Sequence, residues 1–220
     1  MTVSSVFVTG TDTGVGKTWI SQGLMRCLAS SGKSVVGMKP VASGCLRTDQ
    51  GLRNDDALLL QQAATISVAY ELINPYSFEP AIAPEAAADL AGVTIDPRHI
   101  FDCYEELNSI ADSVVVEGVG GWRVPLAGDY DVAMMARQLA LPVVLVVNIR
   151  LGCINHARLT AESIRGSGMH LLGWVANHLN PAETNSYVVG MIDRALAAPC
   201  IGVVPLLPSS HLVSDYLVFP

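Results

Sequence analysis

Residues Gly10 to Thr18 read GTDTGVGKT, and they lie directly after an apolar run and directly before an amphipathic stretch. This order predicts a strand, a glycine-rich loop and the start of a helix. Gly14 and Gly16 allow the backbone to approach a polyphosphate, so that successive N–H groups and the positive end of the helix dipole face its oxygens. Lys17 can reach the β- and γ-phosphates, and the Thr18 hydroxyl is placed to hold Mg²⁺. The segment therefore predicts a P-loop that binds a nucleoside triphosphate.

The spacing of this loop departs in one detail from the usual pattern. Counting from Gly10, five residues rather than four precede Gly16, and Thr11 stands where the first glycine is usually found. The alternative is a glycine turn that only joins a strand to a helix. Gly16-Lys17-Thr18 at a strand–helix junction favours phosphate binding over that alternative.

The composition limits the class of protein. With 220 residues, half of them hydrophobic and 15% charged, the chain predicts one domain over residues 1–220. The net charge of −7 and the lack of any run of Lys or Arg argue against a nucleic-acid partner. The five cysteines are scattered without CxxC spacing, which favours reduced thiols over a metal or disulfide framework. No apolar stretch approaches the ~20 residues that span a bilayer, so we expect a cytoplasmic protein with no membrane partner.

Short β-branched runs alternate with longer helical patterns along the chain. Six strands are predicted, at Val3–Thr9, Ser34–Lys39, Ser113–Glu117, Pro142–Asn148, Leu171–Asn177 and Cys200–Val204. Helices are predicted at Lys17–Ser30, Asp55–Ala64, Pro97–Asp112, Tyr130–Ala140, Ile154–Ser167 and Thr184–Ala197. The section from Asn74 to Gly92 is the least regular. This order predicts an α/β fold of the P-loop NTPase type, with a doubly wound, mostly parallel sheet and helices on both faces.

In such a fold, ligands lie beyond the carboxyl ends of the strands, so polar residues there are candidates for the site. Lys39 ends the second strand and can neutralise charge during phosphoryl transfer, with a solvated lysine as the alternative. Glu117 ends the third strand and suits a second Mg²⁺ contact, with a turn or capping acid as the alternative. Asp55 and Asp56 begin a helix. Asp56 is expected to face the metal, and a capping role for one of the pair stays open.

Several motifs together resemble one family. They are GTDT and GKT within Gly10–Thr18, KPVASG at Lys39–Gly44, GLRN at Gly51–Asn54 with Asp56-Ala57, VEG and GGW within Val116–Trp122, LGCINH at Leu151–His156, and GWVAN at Gly173–Asn177. This combination, in register from about Val6 to Pro205, is similar to the dethiobiotin synthetases of biotin biosynthesis. The P-loop alone is shared with many ATPases, whereas its combination with KPVASG and LGCINH is specific to this family.

The resemblance implies an ATP- and Mg²⁺-dependent cyclo-ligase that converts 7,8-diaminononanoate and CO₂ or bicarbonate to dethiobiotin. A carbamate formed on one amine takes the γ-phosphate, and the second amine then closes the ureido ring, with release of ADP and phosphate. By resemblance, Thr18, Asp56 and Glu117 hold Mg²⁺, and Lys17 and Lys39 act on the carbamate and the γ-phosphate. The nucleotide contacts that it implies are Gly14, Val15, Gly16, Lys17, Thr18, Asp56, Glu117, Gly118, Val119, Gly120, Asn177, His178, Pro205, Leu206 and Leu207.

The resemblance also implies a homodimer with a shared substrate site. It places Ser43 beside the substrate amines. It places the substrate carboxylate at the dimer interface, in contact with Gly152, Cys153, Ile154, Asn155 and Tyr187. Free N–H groups at a helix start bind a carboxylate well. Two departures concern the nucleotide: Gly14 stands where some relatives have an acid, and beyond Leu207 the chain loses the resemblance and lacks the acid that would support the ribose.

Two other P-loop classes fit the sequence less well. A switch ATPase that positions cell-division or plasmid-partition complexes carries an extra lysine early in the P-loop, where this chain has Asp12 and Thr13. Such proteins often end in a basic membrane helix, whereas the last ten residues here hold one acid and no Lys or Arg. A ligase of the amidotransferase type would need a further glutaminase domain, for which 220 residues leave no room.

Overall fold

The structure is a computed structural model that describes residues 4–183 and 185–218. Runs of β-branched residues in the sequence form its strands. In the described chain the strands are, in order, β1 (Val6–Gly10), β2 (Val35–Met38), β3 (Val41–Ser43), β4 (Leu46–Thr48), β5 (Gly51–Arg53), β6 (Tyr76–Phe78), β7 (Ser113–Glu117), β8 (Pro125–Ala127), β9 (Tyr130–Asp131), β10 (Val143–Asn148), β11 (Leu171–Asn177) and β12 (Cys200–Val204).

Six of these strands form the central sheet, in the order β12-β11-β10-β1-β7-β2, and every neighbouring pair is parallel. β1 leads into the P-loop and lies inside the sheet, with Gly10 opposite Val146 and Val8 opposite Glu117. Because the strands are parallel, their carboxyl ends lie along one edge. The six predicted strands correspond to the six of this sheet, and the predicted fold class is confirmed.

The helical patterns form α1 (Lys17–Ser30), α2 (Asp55–Ala63), α3 (Tyr70–Ile73), α4 (Pro84–Ala91), α5 (Pro97–Ile110), α6 (Val132–Leu139), α7 (Cys153–Gly166) and α8 (Ser186–Leu196), with 3₁₀ segments at Pro181–Glu183 and Ser210–Tyr216. Local signals explain several of their ends. Asn54 and Asp96 cap α2 and α5, because their side chains accept backbone N–H groups of the first turn. Gly32 and Gly168 adopt left-handed conformations just after α1 and α7.

The helices cover both faces of the sheet. On one face, α1, α2 and the C-terminal 3₁₀ segment pack against Val6 and Val8. On the other face, α5, α6, α7 and α8 pack in the cluster that contains Phe7, since successive side chains of a strand point to opposite faces. Gly23 of α1 leaves room for the C-terminal segment, because a Cβ atom there would lie 2.5 Å from the Val213 side chain.

The section predicted as irregular, between Asn74 and Gly92, is more ordered than the sequence pattern indicated. It contains β6, which pairs with β3, and the helix α4. Pro84 occupies the first turn of α4 and Gly92 follows its last turn with a φ of 64°, which together are signals of a short helix. Two predicted end residues, Val3 and Thr184, lie outside the described residues. Within the described residues, no helix is long and apolar enough to cross a membrane.

Candidate active site

The carboxyl ends of the sheet strands face a cavity of about 900 Å³, which we call the nucleotide cavity. The predicted nucleotide, metal and catalytic residues that line it, together with the predicted substrate contact Ser43, are Gly14, Gly16, Lys17, Thr18, Lys39, Ser43, Asp56, Glu117, Val119, Gly120, Asn177, His178, Pro205, Leu206 and Leu207. Val15 and Gly118 lie behind this lining and contribute backbone carbonyls to its hydrogen bonds. The structure therefore brings these predicted residues together.

The P-loop has the backbone geometry that glycine permits. Gly14 and Gly16 have φ angles of 72° and 89°, in the left-handed region. A side chain at Gly16 would also collide with the amide of Asn177. That amide donates a hydrogen bond to the Val15 carbonyl at 2.9 Å. The loop is thus fixed against the end of β11, the strand that carries Asn177.

Lys17 joins the P-loop to the loop that follows β7. Its Nζ donates to the carbonyls of Asp12 at 3.1 Å and Gly120 at 2.7 Å. Burial, and next the positive charge of Lys39, lower the pKa of Lys17 to about 8, although nearby carboxylates act in the opposite direction. A polyphosphate in the cavity would favour the charged ammonium, which suits Lys17 to an anionic ligand.

Thr18, Lys39, Asp56 and Glu117 form a cluster at the centre of the cavity. Lys39 Nζ lies 2.6 Å from Glu117 Oε1 and 3.1 Å from Asp56 Oδ2. Thr18 Oγ1 lies 2.7 Å from Asp56 Oδ1 and 3.0 Å from Glu117 Oε1. Lys39 is only 4% exposed, so the alternative of a solvated lysine at the strand end does not hold.

The carboxylates decide the charge state of this cluster. Burial acts to lower the pKa of Lys39, but Glu117 and Asp56 offset burial, and the pKa of Lys39 is raised. Burial acts to raise the pKa of Asp56, but the Lys39 ammonium and the Thr18 hydroxyl offset it, and the pKa of Asp56 is lowered. Lys39 is therefore a buried cation held between two carboxylates.

In the first turn of α2, the side chains of Asp55 and Asp56 point in different directions. Asn54 is the capping residue, since its side-chain oxygen accepts the N–H of Ala57 at 3.3 Å. The Asp56 carboxylate contacts Thr18 and Lys39, whereas Asp55 is exposed and does not line the cavity. Neither aspartate is needed as the cap.

The oxygen donors of the cluster fit Mg²⁺. Thr18, Asp56 and Glu117 offer a hydroxyl and two carboxylates, which are the hard ligands that Mg²⁺ prefers. Glu117 is fully buried, and its Oε2 has no hydrogen-bond partner in the described chain, so this oxygen is available to a cation or its water. No group of three or more His, Cys, Asp or Glu that could hold a metal occurs among the described residues. Because they include only two carboxylates, Thr18, Asp56 and Glu117 would hold Mg²⁺ together with phosphate oxygens.

The residues predicted to bind the substrate carboxylate lie elsewhere, around the start of α7. Gly152, Cys153, Ile154 and Asn155 line a second cavity of about 760 Å³, which we call the α7 cavity. Gly152 has a φ of 88°, and no side chain caps the helix. Ser43 instead lines the nucleotide cavity, and Tyr187 is 85% exposed and lines neither cavity. The structure therefore divides the predicted substrate contacts between the two cavities, except for Tyr187, which lines neither.

Several residues that line the nucleotide cavity were not predicted. They are Thr13, Trp19, Ala42, Asn54, Leu59, Ala81, Ile82, Ala83, Pro84, Val124 and Leu179. The residues from Ala81 to Pro84 lead into α4, so they were missed together with that helix. Proline in its first turn and glycine after its last turn could have located it. The other apolar residues carry no sequence signal that separates a cavity wall from a core position.

A P-loop between the first strand and first helix of a parallel sheet, with buried lysine and carboxylate groups at the strand ends, defines a P-loop NTPase. A family model described as an AAA domain matches residues 4–212, and the chain belongs to that family. The ATP-dependent dethiobiotin synthetase BioD of Xanthomonas oryzae pv. oryzae (strain PXO99A) is 49% identical over 210 residues, 95% of this chain and 94% of the relative. The enzyme of the same name from Pseudomonas paraeruginosa is 52% identical over 203 residues, 91% of this chain and 89% of the relative. The chain therefore belongs to the ATP-dependent dethiobiotin synthetases, and it is an ATP-dependent ligase of biotin biosynthesis.

Two solved structures with a similar fold are of septum-site and cell-division proteins. The septum site-determining protein MinD of Pyrococcus horikoshii, complexed with Mg-ADP, has a TM-score of 0.56 and 18% identity, and the match covers 94% of this chain and 83% of that one. The MinC:MinD complex of Aquifex aeolicus gives a TM-score of 0.59 and 20% identity, covering 97% and 86%. At such identities the likeness shows the fold alone.

Proposed function

We propose that this ligase closes the ureido ring of dethiobiotin from 7,8-diaminononanoate and CO₂, using ATP and Mg²⁺. The observation that carries the proposal is Lys39, a cation buried between Glu117 and Asp56 in the cavity that the P-loop faces. A switch ATPase carries its extra lysine early in the P-loop, whereas here the second lysine follows β2 and lies between two carboxylates. A cation at this place suits a ligase that phosphorylates an anionic carbamate, because two anions must approach each other.

The proposed reaction has three steps. One amine of the substrate forms a bond to the carbon of CO₂ and releases a proton, which gives the carbamate. A carbamate oxygen then forms a bond to the γ-phosphorus while the bond to ADP breaks. The second amine attacks the carbonyl carbon, the bond to phosphate breaks, and the ring closes with release of phosphate and a proton.

The chain's own groups can serve this reaction through charge and position. Lys17 and Lys39 would neutralise the carbamate and the γ-phosphate, and Ser43 would lie beside the amines. Asn177 and His178, with Pro205, Leu206 and Leu207, would receive the adenine. Bound Mg²⁺, held by Thr18, Asp56 and Glu117, would supply further neutralisation of the phosphate charge.

The substrate carboxylate is proposed to bind at the α7 cavity of a second copy of the chain, in a two-fold homodimer. The start of α7 has no side-chain cap, and N–H groups at a helix start bind an anion well. Leu151 and Leu159 line this cavity and are 95% and 57% exposed. Exposed apolar residues beside the cavity support an interface.

A cytoplasmic location is part of the proposal. All five cysteines are free thiols in the structure, which supports a reducing compartment.

A turnover assay tests the proposed reaction. Phosphate release is followed with MgATP, bicarbonate and 7,8-diaminononanoate, and with each component left out in turn, while dethiobiotin is detected by mass spectrometry. We expect phosphate release to require the diamine and to match dethiobiotin in amount. Phosphate release that continues at the same rate without diamine would contradict the ligase reaction and would fit a switch ATPase instead.

A further inference from the structure

Asn74 is a buried side chain outside the lining of the nucleotide cavity, and all of its hydrogen-bonding groups are in use. Its Nδ2 donates to the carbonyls of Lys39 at 2.6 Å and Tyr76 at 3.2 Å. Its Oδ1 accepts from the hydroxyls of Tyr70 at 2.9 Å and Ser77 at 2.6 Å. A buried amide with both donors and both lone pairs satisfied is held in one orientation. Asn74 is therefore a fixed support beneath the backbone of Lys39.

Tyr70 connects this support to the start of α2. Its hydroxyl accepts the backbone N–H of Asn54 at 2.8 Å, and Asn54 is the residue that caps α2. The tyrosine is 6% exposed, and the guanidinium of Arg53 lies 4.1 Å from the centre of its ring. The Tyr70 hydroxyl thus has a fixed position between Asn54 and Asn74.

These contacts close a ring that passes through the candidate active site. From the Lys39 carbonyl, the ring runs through Asn74, Tyr70 and Asn54 to α2, whose first turn carries Asp56. It returns across the 3.1 Å contact between Asp56 and Lys39 Nζ. Along the chain, the same two residues are joined through β3 and a hairpin whose first strand, β4, is exposed. The hydrogen-bonded ring is the more rigid connection.

We propose that Tyr70 and Asn74 are positioning residues that set the distance between Lys39 and Asp56 without touching the substrate. The inference rests on the proposed function in one respect, since it takes Asp56 to face Mg²⁺. Mg²⁺ requires ligands at about 2.0–2.1 Å in a near-octahedral arrangement. A small displacement of α2 therefore affects metal binding more than it affects folding.

The chain offers a matched control for Tyr70. The Tyr76 hydroxyl accepts the backbone N–H of Asp96 at 2.8 Å, and Asp96 caps α5. Tyr70→Phe and Tyr76→Phe thus each remove a hydroxyl that accepts the N–H of a helix-capping residue. The two differ in the helix that they support, because α5 carries no candidate site residue.

The test measures ADP affinity by calorimetry across a Mg²⁺ titration, together with the melting temperature. The midpoint of the titration is the Mg²⁺ concentration that gives half of the Mg²⁺-dependent gain in ADP affinity. We expect Tyr70→Phe to raise this midpoint by about five-fold, the effect of losing one hydrogen bond. ADP affinity without Mg²⁺ should stay the same. Tyr76→Phe should lower the melting temperature less, because its hydroxyl makes one exposed hydrogen bond, and it should leave the Mg²⁺ response at the wild-type value. An equal Mg²⁺ response in all three proteins would overturn the proposal.

Asp56→Asn provides a second arm. If Tyr70 acts through Asp56, then Tyr70→Phe causes no further change in the Mg²⁺ response of Asp56→Asn, whereas independent effects would add. Additive changes would overturn the positioning role. Because the readout is ADP binding, it is separate from turnover. If the wild-type protein bound MgADP but left 7,8-diaminononanoate unchanged, the proposed reaction would be contradicted. The test of Tyr70 would still be valid.

Discussion

The nucleotide cavity and the α7 cavity differ in how far one chain completes them. In the nucleotide cavity, Lys17 and Lys39 have oxygen partners within the same chain, and Lys39 lies between Glu117 and Asp56. The α7 cavity surrounds a helix start without a side-chain cap, beside exposed apolar residues. The first site is built within one chain, whereas the second is proposed to be completed by another copy. Substitutions in the two regions should therefore fail in different ways.

The largest effect is expected at Lys17. Lys17→Ala removes the P-loop cation, and each charge-assisted phosphate contact is worth roughly 1.5–3 kcal/mol before any effect on the transition state. We expect ATP binding to fall below detection in calorimetry and turnover to be lost. The chain has three lysines, and Lys33→Ala, in the loop before β2, is the control that should keep both. Normal turnover by Lys17→Ala would show that this loop is not the catalytic one.

The next largest effect is expected at Lys39, where a substitution should change both catalysis and stability. Lys39→Met leaves Glu117 buried without its cation, and breaking a buried pair destabilises a protein by about 3–5 kcal/mol. We expect a lower melting temperature and a kcat reduced by about two orders of magnitude.

The double variant Lys39→Met/Glu117→Gln tests the same pair further. It removes both charges, so most of the lost stability should return. Because Glu117 is itself a proposed Mg²⁺ contact, kcat should stay low. Recovery of kcat along with the melting temperature would contradict a catalytic role for both residues.

The contrast between the cavities also explains what the sequence could predict. The P-loop motif and the polar residues at the ends of β2 and β7 located the nucleotide cavity, because parallel strands bring their carboxyl ends to one edge. Sequence spacing could not separate Asp55 from Asp56. That distinction depends on the direction in which the first turn of α2 points, and Asn54 and Tyr70 fix it through tertiary hydrogen bonds.

The prediction from sequence missed the helix α4. It gave the section from Asn74 to Gly92 as the least regular, but Pro84 begins a helix of eight residues there. Such a short helix gives too few turns for a clear apolar period. The role of Asn74 was also beyond the sequence, since its partners are backbone carbonyls and hydroxyls that only the fold brings together.

A third prediction tests the proposed interface at the α7 cavity. Wild-type protein should scatter light as a particle of roughly twice the 23.3 kDa chain mass. Leu159→Asp places a charge at an exposed leucine of α7 that lines this cavity, and it should give monomers. These monomers should bind ATP normally, with a KM for 7,8-diaminononanoate raised by about ten-fold or more, because the carboxylate contact is lost.

Leu90→Asp is the control for that variant. Leu90 lies on α4 and is 74% exposed, so the same change there should leave the mass and the KM unaltered. A wild-type monomer with full activity on the diamine would contradict the shared site.

The smallest effect is expected at Arg150, where the two regions touch. The Arg150 guanidinium lies 3.1 Å from the Asp12 carboxylate, which joins the loop before α7 to the P-loop. The two side chains are 36% and 53% exposed, and exposed pairs contribute about 0–1 kcal/mol that salt further screens. Arg150→Ala should therefore change the affinity for ATP by no more than about three-fold, and less at high salt. Arg47→Ala breaks the exposed pair with Glu79 and gives the baseline for a surface pair that joins no site. If Arg150→Ala weakened ATP binding as severely as Lys17→Ala, the P-loop and the start of α7 would act as one unit, and the separation between the two cavities would fail.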